Sequence, residues 1–365
     1  MTIPSFAKIN LGLRIGPLRE DGFHELRTVY QTITLHDIVS ISVERGSGIE
    51  IRCDDPCVPT DSTNTCWRII ERAMQVLKAR GRVVIEIEKR LPVQGGLGGA
   101  SGNAVTALLA FEQALQKKLP AAERLRIASE VGSDIPLFLV GGTVLGVGRG
   151  EEVYPLPDLP SMPCVIALPE VAISTPKAFA DWDLACGAGA PAREPAERSS
   201  ARTGEGARPH MAGSPHMAAG NPSSMAGAKL TASTHSDRML KFSREISAWL
   251  NAVPITGGRR SGVSARGGGR AENPLLDLVR TGIENDFERV VFPQYPELLE
   301  VKRVLEKAGA RYASLSGSGS AIYGLFDSSS QAAGAAKKLI RQGTRALVTS
   351  TLTRRQYWKR LRISD

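Results

Sequence analysis

Fourteen residues, LPVQGGLGGASGNA at positions 91–104, restrict what this chain can fold into more than any other stretch. Five glycines fall among the eight residues 95–102. Before them runs VVIEIE (83–88), whose end alternates apolar and polar side chains, the period of a strand with one buried face. After them runs NAVTALLAFEQAL (103–115), made of good helix formers with apolar residues at helical spacing. A strand, a glycine loop and a helix N-terminus in that order form an arrangement that binds phosphate. Glycine lets the backbone approach an anion and turn its N–H groups inward, and the helix dipole favours negative charge at that end. On glycine content alone, a floppy surface loop is the other reading. A Walker A loop requires Gly-Lys-Ser/Thr after four intervening residues, and no such lysine follows. A dinucleotide fingerprint requires Gly-x-Gly-x-x-Gly. Gly96-Leu97-Gly98-Gly99-Ala100-Ser101 lacks the third glycine, and no strand ending in an acid follows at the expected distance.

The stretch instead resembles the second motif of the GHMP kinase superfamily: Pro-x-x-x-Gly-Leu-Gly, a short spacer, then Ser-Ser-x-Ala. Pro92, Gly96, Leu97, Gly98, Ser101 and Ala104 match it. Gly102 stands where a second serine is common, and Gln94 where Gly or Ala is common. These departures touch side-chain contacts, whereas the phosphate cradle that the resemblance implies is mainly backbone.

The chain has 365 residues, 42% of them hydrophobic, enough for two ordinary domains. No apolar run reaches the roughly 18 residues of a spanning helix. MTIPSFAK at the start lacks the basic-then-apolar pattern of a signal peptide, so a cytoplasmic protein is expected. The five cysteines are odd in number and scattered, and Cys53-x-x-x-Cys57 has no second pair or histidine cluster with which to hold zinc. They read as reduced thiols. The net charge of +9 raises nucleic-acid binding as a possibility. Residues 187–272, however, carry 12 Lys and Arg against 6 Asp and Glu, so most of the surplus sits in one segment. That segment is poor in the aromatics on which bases stack. An anionic small substrate explains the remaining surplus equally well.

In chain order, residues 5–15, 26–35, 38–43 and 48–52 read as strands, and 65–79 as a helix with Asp61, Ser62, Thr63 or Asn64 available as caps. The 83–88 strand and the loop helix follow, then a helix at 121–131 and a glycine-broken strand at 138–148. These imply layered α and β elements rather than a helical bundle. A second unit begins near Pro157, with a strand at 164–168 and a helix opened by Ser174-Thr175-Pro176. Residues 185–229 are rich in Ala, Gly, Pro, Ser and Arg and contain a near-repeat, PHMA, around His210 and His216. This composition buries too little apolar surface to offset the chain entropy of ordering, about 1–2 kcal/mol per residue. The two histidines have no Cys or acidic partners and make weak metal ligands. Helices are expected at 237–251, through residue 279 and at 296–308. A Ser/Gly hairpin follows at 315–321, then a strand at 321–326, a helix at 330–341 and a strand at 346–352.

Phosphoryl transfer needs a phosphate cradle, a cation and a group that takes the proton from the attacking hydroxyl. Asp134 is the candidate base. It follows a helix and Gly132-Ser133 and precedes the apolar Ile135-Pro136-Leu137-Phe138. An acid at such an edge is either a helix cap or a functional group. Lys8 lies inside the apolar first strand. It is either solvated on the polar face or turned to the site, where it pairs with Asp134 and stabilises a developing oxyanion.

SFAKINLGL (5–13), REDGFHEL (19–26), the glycine loop, GSDIP (132–136), Ser174-Thr175-Pro176 and LSGSGSA (315–321) together resemble one family in one order. It is the 4-diphosphocytidyl-2-C-methyl-D-erythritol kinase family, and the likeness covers nearly the whole chain outside residues 185–272. It implies an α+β, two-domain GHMP kinase fold. Residues 1–156 would be a nucleotide-binding domain like domain 2 of ribosomal protein S5. Residues 157–365 would be a ferredoxin-like domain carrying the insertion, with the site in the cleft. It implies ATP as phosphoryl donor, Mg²⁺, and an acceptor bearing a cytidine diphosphate group. Neither nucleic acid nor membrane would be a partner, and the chain would be a monomer or weak homodimer. Lys8 and Asp134 match the catalytic pair, and Asn10 a substrate contact. Phe23 stands where the family often has Tyr under the cytosine, and His24 matches a cytosine contact. Thr175 and Phe179 match contacts in the second domain, and Phe179 would close a sandwich on Phe23. Pro92, Val93, Gln94, Gly95, Gly96, Leu97, Gly98, Gly99, Ala100, Ser101 and Gly102 match the ATP loop, with Asn64 and Lys89 bordering the adenine. Ser101 is the best match for a Mg²⁺ ligand, and no carboxylate accompanies it. Other GHMP kinases, acting on homoserine or a mevalonate intermediate, are the alternative enzymes, and a GHMP-fold protein without catalysis is the alternative class. Phe23-His24 argues against the first and Lys8 with Asp134 against the second.

Overall fold

Two strands, β1 (Thr2–Leu18) and β2 (His24–Glu44), pair antiparallel along almost their whole length and form the spine of the protein. This computed structural model describes residues 2–93, 95–186 and 284–361. Gln94, the helices expected at 237–251 and up to 279, and both PHMA segments lie outside the described residues. β2 joins what the sequence divides into two strands at Asp37. The break does not occur because the buried Asp37 carboxylate is satisfied from outside the strand, by the backbone N–H groups of Arg90 and Leu91, the Lys89 ammonium and Asn103. A buried acid with that many donors interrupts nothing.

β3 (Gly48–Cys53), β4 (Arg82–Glu88), β5 (Thr143–Val147) and β6 (Glu152–Pro155) complete the first sheet, in the order β3-β4-β2-β5-β6 with β1 on β2. β3 and β4 are parallel, joined across one face by α1 (Thr65–Leu77), which Asn64 caps by accepting from the Cys66 N–H. α2 (Gly99–Leu115) is buried from Gly102 to Glu112, as befits a helix that is apolar nearly all round. It packs with α1 and α3 (Ala121–Val131) on the sheet. Residues 138–148 are not one strand. Pro136, with its fixed φ, opens a 3₁₀ turn (Pro136–Leu139), and β5 starts only at Thr143.

The second sheet is antiparallel, in the order β10-β7-β9-β8: β7 (Pro163–Leu168), β8 (Tyr312–Leu315), β9 (Ile322–Leu325) and β10 (Arg345–Ser350). α4 (Thr175–Cys186), α5 (Glu288–Gln294), α6 (Pro296–Lys307) and α7 (Ser329–Arg341) cover its outer face. The two sheets meet through Ala7, Ile9, Leu11 and Ile33 on one side and Cys164, Ile166, Tyr323 and Leu325 on the other. The last helix, α8 (Arg354–Leu361), returns to the first core, where Tyr357 and Leu361 are buried and Tyr357 donates to the Phe138 carbonyl. Among the described residues no helix is long and apolar enough to cross a membrane.

Candidate active site

Strand alternation sets the floor of the site. Ala7, Ile9 and Leu11 point into the layer between the sheets, so Lys8 and Asn10 point the opposite way. Tyr30 lies directly across from Asn10 on β2 and shares its face. The Lys8 ammonium donates to Asn10 Oδ1 at 2.7 Å and lies 3.2 Å from Asp134 Oδ2. Tyr30 donates to Asp134 Oδ1 at 2.9 Å. Asn10 is held in turn by donating to Thr28, whose hydroxyl donates to the Gly12 carbonyl. The Lys8 side chain is 3% exposed and that of Asp134 36%, so a buried cation presents a carboxylate that solvent still reaches.

The glycine loop lies over this floor and is tied to it by a bond from the Lys8 N–H to the Leu97 carbonyl. Gly98 precedes α2 with φ of 68° and supplies no side-chain cap, so the first amides of the helix point outward without a side-chain acceptor. Ser101 and Gly102 belong to the first turn of that helix rather than to the loop. The Ser/Gly hairpin closes on the loop from the second sheet. Ser316 donates to the Gly96 carbonyl, and the Ala321 N–H to that of Gly95. A Cβ at Gly96 would sit 2.1 Å from the Ser316 carbonyl oxygen, so only glycine fits between the two loops. Asn285 fixes the hairpin by donating to the carbonyls of Leu315 and Gly317.

Cavities open on either side of the glycine loop. One, of about 710 Å³, holds Lys8, Asn10, Phe23, His24, Asp134 and Phe179 in its walls. The other, of about 490 Å³, runs along Asn64, Lys89, Pro92, Val93, the loop residues Gly95 and Leu97, and Gly99 and Ala100 at the start of α2. They share Gly96, Gly98, Ser101 and Thr175. Thr175 is joined to the hairpin by a 2.8 Å hydrogen bond with Ser318.

The other expected residues lie in the walls of these cavities. Phe179 shares the wall of the larger cavity with Phe23 and lies parallel to the His24 ring at 5.3 Å, with Phe287 edge-on at 4.9 Å. The start of α4 packs onto the start of β2 and brings those rings together. Both His24 ring nitrogens are engaged, Nδ1 with the Gly16 carbonyl and Nε2 with Asp183. Phe23 is 52% exposed, with the Arg149 guanidinium over its ring at 5.0 Å. Asn64 and Lys89 border the second cavity, but their polar ends are committed: Asn64 caps α1, and Lys89 bonds Asp37 and the Leu91 carbonyl. Among the described residues no three His, Cys, Asp or Glu side chains converge as metal ligands.

Residues 64–142 match the GHMP kinases N terminal domain, and residues 272–345 the GHMP kinases C terminal domain. A curated 4-diphosphocytidyl-2-C-methyl-D-erythritol kinase of Solibacter usitatus is 33% identical over 322 residues, 88% of this chain and 80% of that protein. That of Acaryochloris marina is 31% identical over 91% of this chain and 88% of its own length. The chain belongs to the 4-diphosphocytidyl-2-C-methyl-D-erythritol kinase family. A solved 4-(cytidine 5'-diphospho)-2C-methyl-D-erythritol kinase aligns over 96% of this chain and 99% of its own, with a TM-score of 0.63 and 25% identity. A homoserine kinase from Cytophaga hutchinsonii, 18% identical over 96% of this chain and 95% of its own with a TM-score of 0.61, shares the fold. The α+β, two-domain GHMP kinase architecture implied by the family resemblance is thus the fold of this family member. Tyr30, Ser318, Asp183 and Asn285 were missed in the sequence. Tyr30 reads as an ordinary strand aromatic, and the others lie far along the chain from the elements they touch.

Proposed function

We propose that this kinase transfers the γ-phosphoryl group of ATP to the 2-hydroxyl of 4-diphosphocytidyl-2-C-methyl-D-erythritol, in the methylerythritol phosphate route to isoprenoids. One observation carries the reading: the Lys8–Asp134 pair, 3.2 Å apart, lines the acceptor-side cavity that meets the glycine-loop cavity at Gly96, Gly98, Ser101 and Thr175. Asp134 takes the proton of the attacking hydroxyl. Lys8 offers its ammonium to the oxyanion that develops as that proton leaves. Asn10 holds the Lys8 ammonium and lies against the acceptor. Backbone amides of the loop and of the first turn of α2 cradle the ATP phosphates. Pro92, Val93, Asn64 and Lys89 line the nucleotide side. Phe23 stacks the cytosine on the face that Arg149 leaves open, and His24, Thr175 and Phe179 border the same end.

Mg²⁺ neutralises phosphate charge when bound, and Ser101, in the wall common to both cavities, is the side chain that would hold it alongside phosphate oxygens and water. We place this kinase in the cytoplasm, with ATP at hand, as a monomer or weak homodimer. The test is product identity. Purified protein with MgATP and the diphosphocytidyl acceptor is followed by phosphorus NMR. A new phosphomonoester resonance coupled to the carbon bearing the 2-hydroxyl supports the proposal. ATP hydrolysis without that resonance overturns it.

A further inference from the structure

Tyr30 has no part in the residue roles given so far, yet the fold is built around its side chain. It is 2% exposed on the central strand β2, and it donates to Asp134 Oδ1 while Lys8 takes Oδ2. The Lys8 ammonium also lies 5.6 Å from the centre of its ring. Room for it is made by two glycines. A Cβ at Gly146 would meet Tyr30 Cε2 at 2.5 Å, and one at Gly150 would meet the Tyr30 hydroxyl at 2.5 Å. The charged groups facing the ring and hydroxyl are Lys8 from β1, Asp134, and Glu151 of the β5–β6 turn, which holds Arg149 at 2.9 Å. Burial, and then the Asp134 carboxylate, push the Tyr30 hydroxyl well above its ordinary value, so it stays a proton donor wherever the enzyme works.

Asp134 sits on neither a helix nor a strand, in the two-residue turn before Ile135. One flexible lysine would leave its carboxylate free to rotate. We propose that Tyr30 is a positioning residue for the phosphoryl-transfer reaction: its hydroxyl, seated against Gly150, fixes the plane of the Asp134 carboxylate so that an unused lone pair faces the acceptor hydroxyl. With one oxygen bonded to Tyr30 and the other to Lys8, the carboxylate keeps two of its roughly four acceptor positions, and its exposed side opens to the acceptor cavity. The inference rests on the function proposed above.

The variant is Tyr30→Phe, which keeps the ring and its packing and removes only the hydroxyl. It is measured in two backgrounds, the unsubstituted chain and Asp134→Asn. In the first, kcat should fall about tenfold, the worth of one hydrogen bond to a charged group, while KM for ATP and acceptor holds. In the Asp134→Asn background Tyr30→Phe should change nothing further. A kcat loss of equal size in both backgrounds, or a rise in both KM values in step with it, would overturn the positioning role and leave a packing role. Unchanged kcat in Tyr30→Phe would overturn it outright. If the unsubstituted chain fails to turn over the diphosphocytidyl acceptor, the function itself falls and this inference with it, a result distinct from all the others.

Discussion

At Asp134 the two carboxylate oxygens are divided between Tyr30 and Lys8, and the 3₁₀ turn that follows receives no side-chain cap. The capping reading of this acid therefore fails on geometry. Asp134→Asn keeps the shape and removes the base, so kcat should fall by about 10²–10⁴, with ATP binding preserved. Turnover within a factor of two of the parent would return Asp134 to a structural role. Phe23 raises the opposite question, whether a large apolar ring belongs to the core. Half its surface is exposed. Phe23→Ala should therefore spare the melting temperature and weaken acceptor binding by about 1–3 kcal/mol, the worth of stacking one base. A core phenylalanine would instead cost about 3–5 kcal/mol of stability and harm both substrates together, and that pattern would remove the ring from the acceptor site.

The element that integrates the site is the pair of loops. The glycine loop reaches the floor through Lys8 and Leu97, and the hairpin reaches the glycine loop through Ser316 and Gly96. Gly96→Ala places a methyl group against the Ser316 carbonyl and forces the loops apart. We expect a stability loss of about 1–3 kcal/mol, typical of overpacking, and an ATP KM raised about tenfold, equivalent to roughly 1.4 kcal/mol of binding. An unchanged ATP KM would show that the nucleotide does not use this loop. The segment before α1 gives an independent reading of the same cavity. Cys57 and Cys66 both line it, but Cys57 is exposed, whereas Cys66 is buried and its thiol is pushed up to about 12 by desolvation. Because the thiolate is the nucleophile, a raised value means a neutral, inert thiol at pH 8. Alkylation at pH 8 should label Cys57 and spare Cys66, and MgATP should slow the labelling of Cys57. Equal rates with and without nucleotide would count against placing ATP there.

On the scale of the whole molecule, what the sequence disclosed was whatever depends on neighbours in the chain. The strand, glycine loop and helix around Gly96 are local patterns, and alternation over residues 5–15 marks the strand that carries Lys8 and Asn10. The Lys8–Asp134 pairing and the order of the motifs came from family resemblance, since residues so far apart carry no periodic signal of contact. The hidden parts are long-range. Asp37 looks like a strand break until Lys89, Arg90, Leu91 and Asn103 arrive as donors. Asn285 becomes a clamp on the hairpin only once β8 is in place. The return of α8 to the first core is fixed by burial of Tyr357 and Leu361, which a short, highly charged helix does not advertise. The fold alone does not choose the acceptor, because a homoserine kinase shares it. We propose that the choice is made at Phe23, His24 and Phe179, which line the larger cavity. The most direct measurement is therefore kcat/KM for 4-diphosphocytidyl-2-C-methyl-D-erythritol, homoserine and phosphomevalonate, offered side by side to the purified chain with MgATP. Turnover confined to the diphosphocytidyl acceptor, and lost in Asp134→Asn, is the expected result; comparable turnover of homoserine or phosphomevalonate, or none with any of the three, would contradict it.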